Sequence, residues 1–109
     1  MPLVNFYADP YLAPLVTVER ESRAAADVAQ LGTLPADWVV RLVILRAYVL
    51  TCIEMMKAAG DLFDAKGSHY GKAYAAALID AREAQRVIDA AAGASTASGG
   101  VFVINFDRG

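Results

Sequence analysis

Apolar and polar positions recur with a helical period over most of the chain. The first such segment places its apolar positions near one face of a helix: Leu15, Val18, Ala25, Val28 and Leu31. Pro14 suits a first helical turn, and Gly32 is a residue type favoured just beyond a helix end. The pattern therefore predicts a first helix over residues 14–31.

The next segment, residues 35–59, is apolar almost all round, which predicts a helix enclosed by its own domain and by neighbouring subunits. Residues 38–56 have about the length of a membrane span. They include Arg41 and Arg46, however, and arginine is costly near mid-membrane, so we predict a buried helix and no membrane partner. Both guanidinium groups then need partners at a subunit interface or in a buried ion pair. We expect Arg46 to pair with a carboxylate, within the chain or across subunits.

A third helix is predicted over residues 61–92. Asp61 is a suitable N-cap, and Gly93 suggests the end. Gly67 and Gly71 lie inside this segment, where each costs about 1 kcal/mol relative to alanine. They indicate either a close approach by another helix or a bend or interruption of this one.

Both ends of the chain differ from the helical middle. Residues 1–13 form a proline-containing extended lead whose aromatic side chains, Phe6, Tyr7 and Tyr11, are expected to pack on this domain or on a partner. Residues 94–100 have the composition of a flexible linker.

Residues 101–106 have strand propensity, and alternation places Phe102, Ile104 and Phe106 on one face. A single strand is not stable alone, and no other segment resembles one. We therefore predict that this strand adds to the edge of a sheet in another protein.

The fold class predicted is all-α: a three-helix domain over residues 1–93, followed by a linker and strand tail over 94–109. Hydrophobic residues make up 57 % of the chain, and many are alanines, the best helix formers.

The formal net charge of −2 argues against a nucleic-acid-binding protein that uses a strong basic field.

Candidate chemistry is sparse. The chain has one cysteine and one histidine, which excludes an intrachain disulfide and a Cys/His zinc site within one chain. Cys52 lies in the most apolar helix and is expected in the core. No motif places a nucleophile beside His69, which is expected at the surface or at an interface. We predict no catalytic site, no metal site and no cofactor.

The order of segments resembles the head–tail adaptor (connector) proteins of tailed bacteriophages. The resemblance covers about residues 35–90 and rests on the sequences Leu-Pro-Ala-Asp-Trp at 34–38, Leu-Arg-Ala-Tyr at 45–48 and the acidic start of the third helix at 61–70. It implies a ring of about twelve copies beneath the portal protein. It also implies contact with other neck or tail proteins, and DNA that passes without sequence-specific binding. The expected location is the virion neck, after assembly in the host cytoplasm.

Two alternatives come from other classes of protein. One is a small helical regulatory or protein-binding module that dimerises through its second helix. The other is a helical enzyme whose active site forms between subunits. The mass of the particle in solution separates a large ring from a dimer.

Overall fold

The computed structural model describes residues 3–98, with the side chains of residues 3–92. The described elements are a 3-10 turn (Ala13–Leu15) and three α-helices: α1 (Val18–Ala29), α2 (Ala36–Met55) and α3 (Leu62–Ser98). No strand occurs in this part of the chain. The all-α prediction is therefore confirmed for the described residues, and the predicted strand tail lies outside them.

The first helix is shorter than predicted. Val16 is extended, and the Thr17 hydroxyl oxygen accepts a hydrogen bond from the Arg20 amide at 3.1 Å, so α1 begins after this cap. At the other end Gly32 has a φ of +96°, a left-handed conformation that glycine adopts without strain. Local capping therefore divides the predicted segment 14–31 into a 3-10 turn and a helix.

The second helix also ends early, because side chains from the next segment bind the backbone beyond it. The Asp61 carboxylate accepts hydrogen bonds from the amides of Lys57 and Ala58 at 3.0 and 3.2 Å. Asp64 accepts one from the Gly60 amide at 2.7 Å. These bonds satisfy amides in the turn, so α2 ends at Met55 rather than near residue 59.

The third helix is continuous through Gly67 and Gly71. A Cβ added at Gly67 would lie 3.1 Å from the Cβ of Cys52, so this glycine permits the close approach of α2. The predicted end at Gly93 was wrong: α3 continues to Ser98. Alanines lie on both sides of Gly93, and one glycine costs only about 1 kcal/mol in a helix.

Helix α2 is central and packs against both α1 and α3. The side chains least exposed to solvent come from the lead and all three helices: Leu12, Ala24, Leu42, Ala47, Thr51, Cys52 and Ala81. Glu54, near the end of α2, forms ion pairs with Arg20 and Arg23 of α1. The core therefore follows α2 along its length.

Side-chain contacts give the register of the antiparallel pair α2 and α3. Cys52 lies opposite Gly67, the rings of Tyr48 and Tyr70 have centroids 4.4 Å apart, and Arg46 lies over the ring of Tyr74. By this register the first residue of α2 is level with about residue 83 of α3. Residues 84–98 of α3 then extend about 22 Å beyond α2 at 1.5 Å per residue. We call residues 84–98 the distal half of α3.

Candidate interaction site

The lead is attached to α1 through one buried carboxylate. Glu21 accepts hydrogen bonds from the amides of Val4 and Asn5 at 2.8 and 2.9 Å, and from the hydroxyl of Tyr7 at 2.8 Å. Its side chain is buried although it lies on the helix. Charge-assisted hydrogen bonds of this kind are stronger than neutral ones, so Glu21 holds residues 4–7 of the lead in place.

A second buried carboxylate, Asp9, attaches the lead to α2 and α3. One of its oxygens accepts hydrogen bonds from the amides of Tyr11 and Leu12, both at 2.9 Å. The other accepts from Lys66 Nζ at 2.9 Å and from the Tyr70 hydroxyl at 2.5 Å. The amide of Asp9 also donates to the hydroxyl of Tyr48. Asp9 therefore joins both helices to the turn that begins at Ala13.

These bonds change how the groups titrate. Burial alone would raise the pKa of Asp9, but the hydrogen bonds from Tyr70, the Leu12 amide and Lys66 outweigh it and hold that pKa below its usual range. The pKa of Glu21 is lowered against burial by the amides of Val4 and Asn5. Burial, followed by the bond to Asp9, raises the pKa of Tyr70. Both carboxylates are thus stabilised in their charged form, as anchors rather than as proton donors.

The predicted aromatic contacts of the lead divide into two kinds. Tyr7 is 6 % exposed, and its ring lies edge-on to that of Tyr48 with centroids 5.5 Å apart, so it packs on its own domain. Tyr11 is 45 % exposed and lies against Phe63. Phe6 is 82 % exposed. Only Phe6 and part of Tyr11 are thus accessible to a partner in this conformation.

The two arginines of α2 differ as well. Arg46 Nε lies 2.9 Å from the Asp27 carboxylate of α1, so this arginine pairs with a carboxylate of its own chain. Both side chains of this pair remain partly exposed. Arg41 is exposed, and its guanidinium lies 4.5 Å from the ring centroid of Trp38 on the preceding turn. A cation–π contact therefore replaces the expected buried environment of Arg41.

Two apolar grooves lie beside α2, toward its opposite ends. The lead groove, of about 260 Å³, is formed by lead residues Val4 and Asn5, by Ala25 of α1 and by three valines of α2 at positions 39, 40 and 43. The second groove, of about 240 Å³, lies between α2 and α3 and includes Ile53, Met56 and Phe63. Val40 is 49 % exposed and Ile53 60 %. Each groove could therefore receive apolar side chains from another chain.

A third apolar surface follows from the length of α3. Its contact face repeats with alternating spacings of three and four residues: Phe63, Gly67, Tyr70, Tyr74, Ala77, Ala81, Ala84, Ile88 and Ala91. Ala77 and Ala81 are buried. Beyond α2 the same stripe is open, and Ile88 and the adjacent Val87 are 50 % and 53 % exposed. Among the described residues, nothing covers this continuation of an interhelical contact face.

Other candidate chemistry is limited. Cys52 is buried as predicted, and burial raises the pKa of its thiol, which keeps it protonated. His69 is exposed, with its ring edge-on to Tyr70. Within the described residues, no group of three or more His, Cys, Asp or Glu side chains could hold a metal ion. The predicted partner-binding residues Phe102, Ile104 and Phe106 lie outside the described part.

The sequence was also compared with known proteins. No family model matches the chain, and neither the curated proteins nor the solved structures contain a match. In the described part of the chain, no helix is both long and apolar enough to cross a membrane. The comparisons thus assign no family, and function must be argued from the surfaces above.

The residues that organise the lead were missed in the sequence. Asp9 precedes Pro10, and an aspartate before a turn commonly accepts hydrogen bonds from amides two and three residues on, so its local role had a signal. The hydrogen bond from Lys66 to Asp9 had no signal in the sequence, because 57 residues separate the two. Glu21 resembled the solvated acidic residues around it in α1.

Proposed function

We propose that this chain is a structural subunit that assembles with copies of itself, as a head–tail adaptor in the neck of a tailed bacteriophage. The observation that supports self-assembly most directly is the open stripe on the distal half of α3. Helices of this length are marginal in water without tertiary packing. Contact with another chain would cover Val87 and Ile88 and stabilise the helix that bears them.

A ring is favoured over a simple pair because the chain presents apolar surfaces of different shape. The distal half of α3 is convex, whereas the two grooves beside α2 are concave. Contact between two unlike surfaces is head-to-tail. A repeated head-to-tail contact closes into a ring when its rotation divides a full turn evenly, and otherwise it continues as an open filament. This geometry is consistent with an adaptor ring of about twelve copies, the number that the family resemblance implies.

The remaining parts of the proposal rest on the resemblance of residues 35–90 to head–tail adaptors. The ring would bind the portal protein on one side and other neck or tail proteins on the other, and extend the DNA channel. DNA would pass through without sequence-specific contacts, which agrees with a formal net charge of −2 and the absence of a basic run in the sequence. The location would be the virion neck, after assembly in the host cytoplasm. No catalytic role or cofactor is proposed.

A second candidate function is a small dimeric regulatory or protein-binding module. It is favoured by the regular spacing of three and four residues along α3, which suits pairing of two identical helices as well as packing on α2. Such a dimer would use the same stripe on both copies, and the grooves would remain open for another partner.

The mass of the assembled particle tests the proposal. Light scattering coupled to size-exclusion chromatography should give a particle of many copies, alone or after addition of the portal protein encoded in the same genome. Negative-stain electron microscopy should then show rings. A discrete dimer that ignores the portal protein would favour the regulatory module. A monomer under both conditions would contradict both forms of self-assembly.

A further inference from the structure

The lead groove, of about 260 Å³, is an apolar surface without an occupant among the described residues. Valines at three positions of α2 form one wall, and Ala25 of α1 forms the other. The buried carboxylate of Glu21 lies at this groove, but its oxygens already accept three hydrogen bonds from the lead. An occupant therefore needs apolar side chains and no cation.

The lead residues that line this groove, Val4 and Asn5, have their amides bound to Glu21, but the backbone that continues from them is open. Phe6 and Ala8 make no backbone hydrogen bond within the described residues, and both are exposed. An extended peptide binds through open amide and carbonyl groups of this kind, while apolar pockets receive its alternate side chains. The groove would receive alternate side chains of that peptide, and the lead would pair with its backbone.

The chain itself contains one segment with this chemistry. Residues 101–106, with the sequence Val-Phe-Val-Ile-Asn-Phe, have strand propensity and alternate so that Phe102, Ile104 and Phe106 share a face. Two glycines at 99 and 100 separate this segment from the end of α3.

Covalent geometry keeps most of this segment away from the groove of the same copy. By the register of α2 and α3, the groove valines are level with residues 76–80 of α3, so Ser98 lies about 27–33 Å farther along the helix axis. A fully extended chain keeps Phe102 within about 14 Å of Ser98, Ile104 within about 22 Å and Phe106 within about 29 Å. Phe102 and Ile104 therefore fall short of the groove even when the segment runs straight back, and the segment cannot lie along the groove of its own copy.

We propose that residues 101–106 of a second copy of this chain bind in the lead groove, with the side chains of Phe102, Ile104 and Phe106 against Val39, Val40 and Val43. This inference rests on the proposed function, because it supplies the contact between neighbouring copies. It replaces the sheet edge of another protein, expected from the sequence, with the lead and groove of an identical subunit. Each copy then donates a tail and accepts one, which is a head-to-tail contact.

Disulfide cross-linking of the full-length chain tests this contact. Val40→Cys and Ile104→Cys variants are mixed, assembled and oxidised, with native Cys52 retained because it is buried. The expected product is a disulfide-linked pair of one variant with the other. Excess peptide of residues 99–109 should reduce its yield. Ile79→Cys is the matched control, because Ile79 is 70 % exposed but lies outside the groove, and its mixture with Ile104→Cys should give no such pair.

The double variant Val40→Cys with Ile104→Cys separates the two possible donors. A tail from a neighbouring copy gives covalent dimers and longer chains, whereas a tail from the same copy gives an internally linked monomer. An internally linked monomer, no cross-link, or equal cross-linking with Ile79→Cys would each overturn the inference. Oxidation is run on particles whose mass has been measured. Rings without the cross-link would refute the tail contact alone, whereas the absence of any particle larger than a monomer would refute the proposed function first.

Discussion

The lead and the distal half of α3 lie at opposite extremes of this protein. The described part of the lead, from residue 3 onward, has no helix or strand before its 3-10 turn, yet buried Asp9, Glu21 and Leu12 fix it to all three helices. The distal half of α3 is regular helix, yet its apolar side chains Val87 and Ile88 lie half exposed beyond the end of α2. The lead is thus irregular in secondary structure but firmly packed, whereas the distal half of α3 is regular in secondary structure but projects beyond the helix that it packs on.

This contrast separates contacts that a chain makes for itself from contacts that it offers to another. Buried polar groups in the lead are satisfied by partners from the same chain, so the attachment of the lead to the helices needs no second molecule. Contiguous apolar surface on a projecting helix is typical of an interaction site. Changes in the lead should therefore alter the stability of the single chain, and changes in the distal half should alter association.

The largest effect on stability is expected from Leu12→Ala. Leu12 is fully buried where the lead meets the helices, and its truncation leaves a cavity that should lower the free energy of unfolding by about 2–5 kcal/mol. Ile88→Ala, the matched change in the distal half, should cost about 0.5 kcal/mol because its side chain is half exposed. Urea denaturation followed by circular dichroism measures both. Equal losses would contradict the contrast.

Asp9→Asn should have the next largest effect. The neutral amide keeps the shape of the side chain but leaves Lys66 without its carboxylate and weakens the bonds from Tyr70 and two backbone amides. We expect a loss of about 2–3 kcal/mol in the same denaturation experiment. Asp89→Asn, in the exposed distal half, is the control and should be nearly neutral. A neutral Asp9→Asn would mean that the lead is held by its apolar contacts alone.

Acid should detach the lead before it alters the distal half of α3. The folded pKa values of Asp9 and Glu21 lie below their unfolded values of about 3.9 and 4.3. Their contribution is therefore complete above about pH 5 and is lost as the pH falls below about 4 toward the folded values. The protection factors of the Val4 and Asn5 amides, which bind Glu21, should fall in that range. A protection factor is the intrinsic exchange rate at each pH divided by the observed rate.

A Glu21→Gln variant is the control for this pH dependence. It should show faster exchange at Val4 and Asn5 already at pH 7 and a smaller change on acidification. Glu83→Gln removes an exposed carboxylate of α3 that pairs only with Arg86 among the described residues, and it should leave the pH dependence of the lead unchanged. Protection factors of these two amides that stay constant between pH 5 and pH 2 would contradict the role of both buried carboxylates.

The all-α fold could be predicted from the sequence because it follows from local periodicity. The predictions of helix ends were less accurate, since these ends depend on particular hydrogen bonds. The Asp61 carboxylate binds amides of the turn that follows α2, and the Thr17 cap places the start of α1 after the predicted residue. The helix end predicted at Gly93 was wrong, because the helix propensity of the neighbouring alanines outweighs the free-energy cost of one glycine in a helix.

The anchors of the lead could not be predicted in the same way. A bond such as that from Lys66 to Asp9 depends on how the lead crosses α2 and α3, and no local pattern encodes that path. A carboxylate partner was expected for Arg46 from its place in an apolar helix, but the choice of Asp27 depends on how α1 packs. Arg41 of the same helix is exposed and lies over Trp38 instead. Periodicity thus predicts elements, whereas the pairing of distant polar groups requires the tertiary structure.

Arg46→Ala, at a residue of α2 outside the lead and outside the distal half of α3, should lower the free energy of unfolding only slightly. Its ion pair with Asp27 is partly exposed on both sides, and its guanidinium lies 6.0 Å from the ring centroid of Tyr74. An exposed pair with one weak cation–π contact contributes about 1 kcal/mol or less. The loss should shrink in 1 M salt, which screens the ion pair. Arg86→Ala in the exposed pair with Glu83 is the control and should be neutral. A loss above about 3 kcal/mol would mean that Arg46 is buried in solution.

A small effect on the single chain, and the effect most informative for function, is expected from Ile88→Asp. Ile88 is half exposed and lies beyond the end of α2, so a carboxylate there can remain hydrated, and the free energy of unfolding of the dissociated chain should fall by about 1 kcal/mol or less. In an assembly the same side chain would be buried against another subunit, where an unpaired charge is strongly unfavourable. Particles measured by light scattering should therefore dissociate. Arg82→Asp places the same carboxylate outside the apolar stripe and should leave assembly intact. If Ile88→Asp destabilises the dissociated chain as much as Asp9→Asn does, the distal half packs within its own molecule and its proposed role in assembly is wrong.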